Sequence, residues 1–128
     1  MGYHLVDPDD LDQWDDRPPD VRSLSVAAGY AYQDSPIGLR VYELAPGEQS
    51  GLRYHYHGEQ VEVFFVLAGA LHVETPEGEF VVEAGQAFFV DPGSPQRAYN
   101  PDDAAAPVRV LAVGAPSVDD AHSYEPEA

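Results

Sequence analysis

The sequence predicts an all-β sandwich or barrel, and three observations carry that prediction. Short runs rich in Val, Phe and Tyr recur along the 128 residues, most with the two-residue apolar/polar period of a half-buried strand. Pro and Gly punctuate these runs at intervals of about ten residues, the rhythm of strands joined by tight turns in sandwiches and barrels. The length is that of one domain, and 44% apolar residues are enough to build its core.

The N-terminal segment, residues 1–20, holds the one helical signal. Asp7 can cap, Pro8 suits a first helical position, and Leu11 and Trp14 lie three apart on a face that would pack against the outside of the barrel. The barrel itself is expected over 21–115. Its strands are read at 37–44, 51–57, 61–67, 70–75, 79–84, 87–90 and 108–114. Pro76-Glu77-Gly78 is the clearest turn, because it joins two alternating runs. Small and acidic residues from Pro116 to Ala128 predict a tail.

Charge excludes several function classes. The chain carries 23 Asp and Glu against 6 basic residues, a formal charge of −17. A nucleic-acid binder or a ligand of anionic membranes needs a basic face, so neither partner is expected. The absence of cysteine removes disulfides, thiolate metal sites and cysteine nucleophiles. The longest apolar stretch, Val63–Leu71, is broken by Gly69 and falls far short of the roughly 20 residues of a membrane span. The first residues lack a basic n-region, and Val6 stands where a myristoylation signal has Ser or Thr, so a cytoplasmic protein is expected. All six basic residues are Arg, with no Lys. This composition resembles that of proteins from salt-in halophiles, haloarchaea above all; an acidic surface for a basic partner, or disordered acidic ends, are the alternatives.

The chemistry lies in residues 53–62. On a strand, residues two apart share a face, so His55 and His57 project their imidazoles the same way. A turn around Gly58 brings the chain back, and Glu62 opens the next strand. Two imidazoles and a carboxylate form a facial set that can hold a divalent metal and leave coordination positions open. The same alternation puts Phe64 and Val66 on the face of Glu62, an apolar surround. Arg53, two residues before His55, is expected on the inward face. It would either clamp an anionic group of a substrate or pair with Glu62 or a carboxylate at the rim. Paired histidines on a strand can also be hydrogen-bonded barrel residues without a metal. Tyr54 and Tyr56 face the other way, as packing or interface residues.

These residues resemble the first motif of the cupin superfamily, in which a glycine precedes H-x-H, a Glu follows, and another glycine comes six residues later. Here Glu62 follows His57 after four residues and Gly69 follows Glu62 after six. Residues 85–100 resemble the second motif, with Gly85, Gly93 and Asn100 at family positions. The likeness covers roughly 35–115 and departs in three places. Gln49 stands in place of the leading glycine, Asp91 in place of the first Pro of P-x-G, and Gln96 where the last His ligand belongs. Gln96 would ligate weakly, orient a metal-bound water, or leave its position to solvent.

The resemblance implies a jelly-roll-like barrel of about eight to ten strands and a homodimer. It implies an interior pocket lined by His55, His57, Glu62, Gln96, Arg53 and Phe64 around one divalent ion, iron or manganese in preference to zinc or nickel. Two functions follow. One is a metal-dependent enzyme acting on a small polar organic molecule, dioxygenase-, isomerase- or lyase-like. The other is a cupin that binds a small molecule or a metal without turnover.

Overall fold

The structure, a computed structural model, describes residues 2–51 and 53–126. Among these residues ten strands form: β1 (Asp20–Ser23), β2 (Gly38–Leu44), β3 (His55–His57), β4 (Val61–Ala68), β5 (Ala70–Thr75), β6 (Gly78–Glu83), β7 (Ala87–Val90), β8 (Arg97–Tyr99), β9 (Val108–Ala115) and β10 (Ala121–Ser123). They pair antiparallel into a five-stranded sheet of order β1-β2-β9-β4-β7, a three-stranded sheet β6-β5-β8 and a two-stranded ribbon β10-β3. One four-residue helix, α1 (Leu24–Ala27), follows β1, its N-terminus capped by the Ser23 hydroxyl accepting from Val26 N–H.

Alternation decides which side chains are buried. Phe64 and Val66 of β4, Leu71 and Val73 of β5, and Val108 and Val110 of β9 point inward into one apolar cluster. Their neighbours Phe65 and Leu67 stay exposed on the outer face. Burying each of these inward side chains contributes on the order of 1.5–3 kcal/mol. The corner between β4 and β5 admits only glycine. Gly69 has φ +79°, and a Cβ there would lie 2.6 Å from the Pro107 carbonyl oxygen. Asn100, buried just after β8, donates from Nδ2 to the carbonyls of Leu44 and Ala106, each at 3.0 Å, and so ties the loop before β9 to the end of β2.

Two expectations change. The residues from Pro116 onward do not run off as a tail: β10 returns to pair with β3, His57 opposite Ala121 and His55 opposite Ser123. A three-residue strand is too short to show an alternating pattern in sequence. The N-terminal helix is a single 3-10 turn, Pro8–Asp10, with Asp7 capping as expected. It stops there because no continuous apolar stripe follows to be buried. Trp14 instead donates its backbone N–H to the Val21 carbonyl, and its ring stacks on Tyr32, centroids 5.0 Å apart.

Candidate metal centre

The site forms where three short elements converge on the start of β4. The Gly58 turn places Glu62 across from β3, with Val90 of β7 and Gly114 of β9 as its ladder neighbours. On the other side of β3 a two-bond bridge ties His55 to Gln96, N–H to carbonyl at 3.1 and 2.8 Å in the two directions. The metal-capable atoms of His55, His57 and Glu62 lie within 4.8 Å of one another. His57 Nε2 is 3.8 Å from Glu62 Oε1. Ligands about 2.1 Å from a common ion sit roughly 3–4 Å apart, so the spacing suits a metal.

The outer nitrogens of both rings are engaged. His57 Nδ1 is 2.8 Å from Asp120 Oδ1, and His55 Nδ1 is 2.5 Å from the Arg53 carbonyl oxygen. Both partners accept, so each ring donates from Nδ1, which leaves Nε2 as the nitrogen available to a metal. This is the arrangement of metal-ligating histidines, whose second nitrogen is held by a carboxylate or a carbonyl. Asp120 is itself fixed, since its Oδ2 accepts from Glu59 N–H at 2.6 Å and Gln60 N–H at 2.9 Å. Gln96 Nε2 donates to Glu62 Oε1 at 2.8 Å. Two buried acceptor atoms beside Glu62 then have no partner, His57 Nε2 and Gln96 Oε1. Unpaired buried polar atoms are costly, and a cation beside Glu62 would satisfy His57 Nε2, which lies 3.8 Å from that carboxylate. The residues therefore fit a divalent ion.

Electrostatics agree. Burial pushes the Glu62 carboxyl above the ordinary glutamate range, only partly offset by His57, Arg40 and the Gln96 amide. Burial also lowers His55, against the bond to the Arg53 carbonyl, which keeps the ring neutral and available. For Asp120 burial acts upward, but the hydrogen bonds from Gln60, Glu59 and His57 together outweigh it and hold the carboxyl below its usual value.

A cavity of about 310 Å³ opens onto the three ligands, walled by Phe64 and Ala112 on one side and by Tyr32, Arg40 and Tyr42 on another. Arg53 is not part of it. It lies exposed in bends ahead of β3 and lines a separate, wider groove with Tyr54 and Arg97. The two-residue rule fails for Arg53 because the extended ladder begins only at His55. Arg40 is the cavity's arginine, and its signal was present in the sequence: on β2 it is in phase with Tyr42 and the fully buried Leu44. Asp120 had no such signal. It is one more acid in an acidic stretch, 63 residues from the histidine it orients. Tyr54 and Tyr56 face away from the ligands, packing on Tyr124 and His122 with ring centroids 5.0 and 5.1 Å apart.

The family described as Cupin domain matches residues 40–114. No curated protein matches the chain. Among solved structures, a sugar phosphate isomerase from a cupin superfamily of Silicibacter pomeroyi is 28% identical, with 88% of this chain and 75% of that chain covered at a TM-score of 0.69. The polyketide cyclase RemF from Streptomyces resistomycificus is 19% identical, with 98% and 87% covered at 0.76. An uncharacterized conserved protein with a double-stranded β-helix domain from Klebsiella pneumoniae is 16% identical, with 97% and 99% covered at 0.73. The last two likenesses are of fold alone.

Proposed function

The chain belongs to the cupin family, and on that footing we propose that it is a metal-dependent enzyme acting on a small polar organic molecule within the barrel. The observation that carries this reading is the cluster of His55, His57 and Glu62, whose metal-capable atoms lie within 4.8 Å of one another, with His57 Nε2 buried and unpartnered. His55, His57 and Glu62 would hold the ion, with Gln96 Oε1 as a fourth donor. A mixed nitrogen and oxygen set of this kind favours iron or manganese over zinc or nickel. When bound, the ion supplies a Lewis acid for a substrate oxygen at its open positions.

The chain's own residues do the remaining work. Asp120 holds the proton on His57 Nδ1, and the Arg53 carbonyl holds that on His55 Nδ1, so both Nε2 atoms stay oriented into the cavity. Gln96 fixes the rotamer of Glu62 through one of its oxygens. Phe64, 2% exposed, excludes water from the wall behind the carboxylate. The likeness to a protein described as a sugar phosphate isomerase supports catalysis on a small hydroxylated molecule, isomerase-, lyase- or dioxygenase-like.

A second reading, a cupin that binds without turnover, draws on the Gln96 amide. By donating to Glu62 it partly satisfies that carboxylate with no ion present. Metal content decides between them. Protein purified without chelator should carry about one ion per chain by elemental mass spectrometry, and Glu62→Ala should lose it while keeping its fold. Wild-type protein that stays metal-free after reconstitution with iron, manganese, zinc and nickel would leave the second reading.

We also read the acidic, lysine-free composition as adaptation to a cytoplasm at molar salt. Phe65, Leu67 and Phe89, exposed together on the outer face of the five-stranded sheet, support a homodimer. No helix among the described residues is long and apolar enough to cross a membrane.

A further inference from the structure

We propose that Arg40 is the anchor for a carboxylate of the substrate, so that this cavity selects small monoanionic acids rather than phosphate esters. The inference rests on the cavity being the small-molecule site argued above, and it names the class of molecule that enters.

Arg40 and Arg53 stand apart from the other arginines, and of the two only Arg40 lines the cavity, Arg53 being exposed outside it. Arg17, Arg22, Arg97 and Arg109 each have a carboxylate within 4.0 Å. Arg40 has none among the described residues, in a chain where acids outnumber arginines 23 to 6. Its Nε is buried and without a hydrogen-bond partner. A guanidinium that is partly withdrawn from water with no carboxylate in direct contact, Glu62 acting on it only at longer range, is costly unless an anion arrives to meet it. The group is also held in place, its Cζ lying 4.3 Å from the centroid of the Tyr32 ring. Stacking of this kind fixes the plane of the fork and leaves its edge for bidentate contact with a planar carboxylate. Tyr42, two residues along the same strand face, adds a hydroxyl to the same wall.

The sign and number of charges select the anion. Arg40 is the one basic residue among the described residues lining the cavity, which it shares with Glu62, Asp119 and Asp120. With a divalent ion on the histidines and Glu62, that ion and Arg40 together balance the three carboxylates, so an entering carboxylate adds one uncompensated charge and a phosphate monoester close to two. The volume, about 310 Å³, is at the small end of ligand sites and suits a compact acid.

Calorimetry on the full chain tests this with benzoate, its neutral isostere benzamide, and inorganic phosphate, each on chelator-treated and on Mn²⁺-loaded protein. Benzoate should bind in both states and benzamide about tenfold more weakly or worse. Arg40→Gln should weaken benzoate by about tenfold or more and leave benzamide unchanged, with Arg40→Lys in between. Equal binding of benzoate and benzamide by wild-type protein overturns the proposal, and that comparison needs no variant to fold. So does undiminished benzoate binding by Arg40→Gln, or phosphate that binds more tightly than benzoate. Manganese uptake on the same samples separates the two claims. Benzoate binding by protein that takes up neither Mn²⁺ nor, on reconstitution, iron, zinc or nickel overturns the metal reading and leaves the anchor standing; Mn²⁺ uptake without discrimination overturns the anchor alone.

Discussion

Glu62 is the residue whose environment most sharply divides the protein with metal from the protein without it. Its carboxyl is pushed upward chiefly by burial. A raised folded value means that the folded chain binds its proton more tightly than the unfolded chain does. The associated stability is fully present below the ordinary glutamate pKa and is lost as pH rises through the raised value. In chelator, Glu62→Gln should therefore melt a few degrees above wild type near neutrality, with the gap closing on acidification; melting curves from pH 4 to 8 check this. A gap that stays constant with pH would remove burial as its cause. Reading at this scale succeeded where a strand was already running. His55, His57 and Glu62 were legible because alternation and one turn fix their faces. Arg53 was misplaced because alternation was carried upstream of the first ladder residue.

At the scale of elements, β10 does more for the site than its three residues suggest. It pairs with β3, places His122 on Tyr56, and follows directly on Asp120, which reaches both His57 and the turn at Glu59 and Gln60. Asp120→Ala removes all three of those hydrogen bonds. Its metal affinity, measured by competition with a chelator, should fall by about 10–100-fold, the usual effect of losing a group that orients a ligand. Unchanged affinity would mean that the β10 ladder and the bridge to Gln96 are enough to position β3. The long strands β2, β4, β5 and β9 were readable from period and turn residues. The short ones, β1, β8 and β10, were not, because their place is set by a partner strand distant in sequence. Gly69 belongs with the readable features: a glycine between two apolar runs marked the corner that the Pro107 carbonyl closes.

Across the whole molecule, charge is the dominant unbalanced quantity. Four arginines pair with acids, and two of those pairs, Arg17–Asp15 and Arg22–Asp20, are made within two residues of sequence and tie no distant elements together. The net charge of −17 is left to the solvent. In molar salt the screening length is about 3 Å and the self-repulsion is shielded; in dilute buffer it acts across the barrel. The melting temperature should climb steeply from 0.1 to 3 M KCl, and near-UV circular dichroism should show native packing lost at the dilute end. Equal stability at both ends would mean that the barrel core outweighs the repulsion and that the composition has another origin. The fold class was legible at this scale from turn spacing alone, whereas the closure of the barrel onto its last strand was not.

The bond between His57 and Asp120 also sets an order of events during synthesis. The histidines and Glu62 leave the ribosome well before the residue that orients them, which follows His57 by 63 positions. At roughly 5–20 residues per second that interval lasts several seconds. Throughout it the nascent chain displays His57 with its tautomer unfixed, although the Arg53 carbonyl is already in place for His55. On the metal-dependent reading proposed above, full affinity for the ion waits until Asp120 has emerged, and the metal taken up would be governed by the ions available where folding ends.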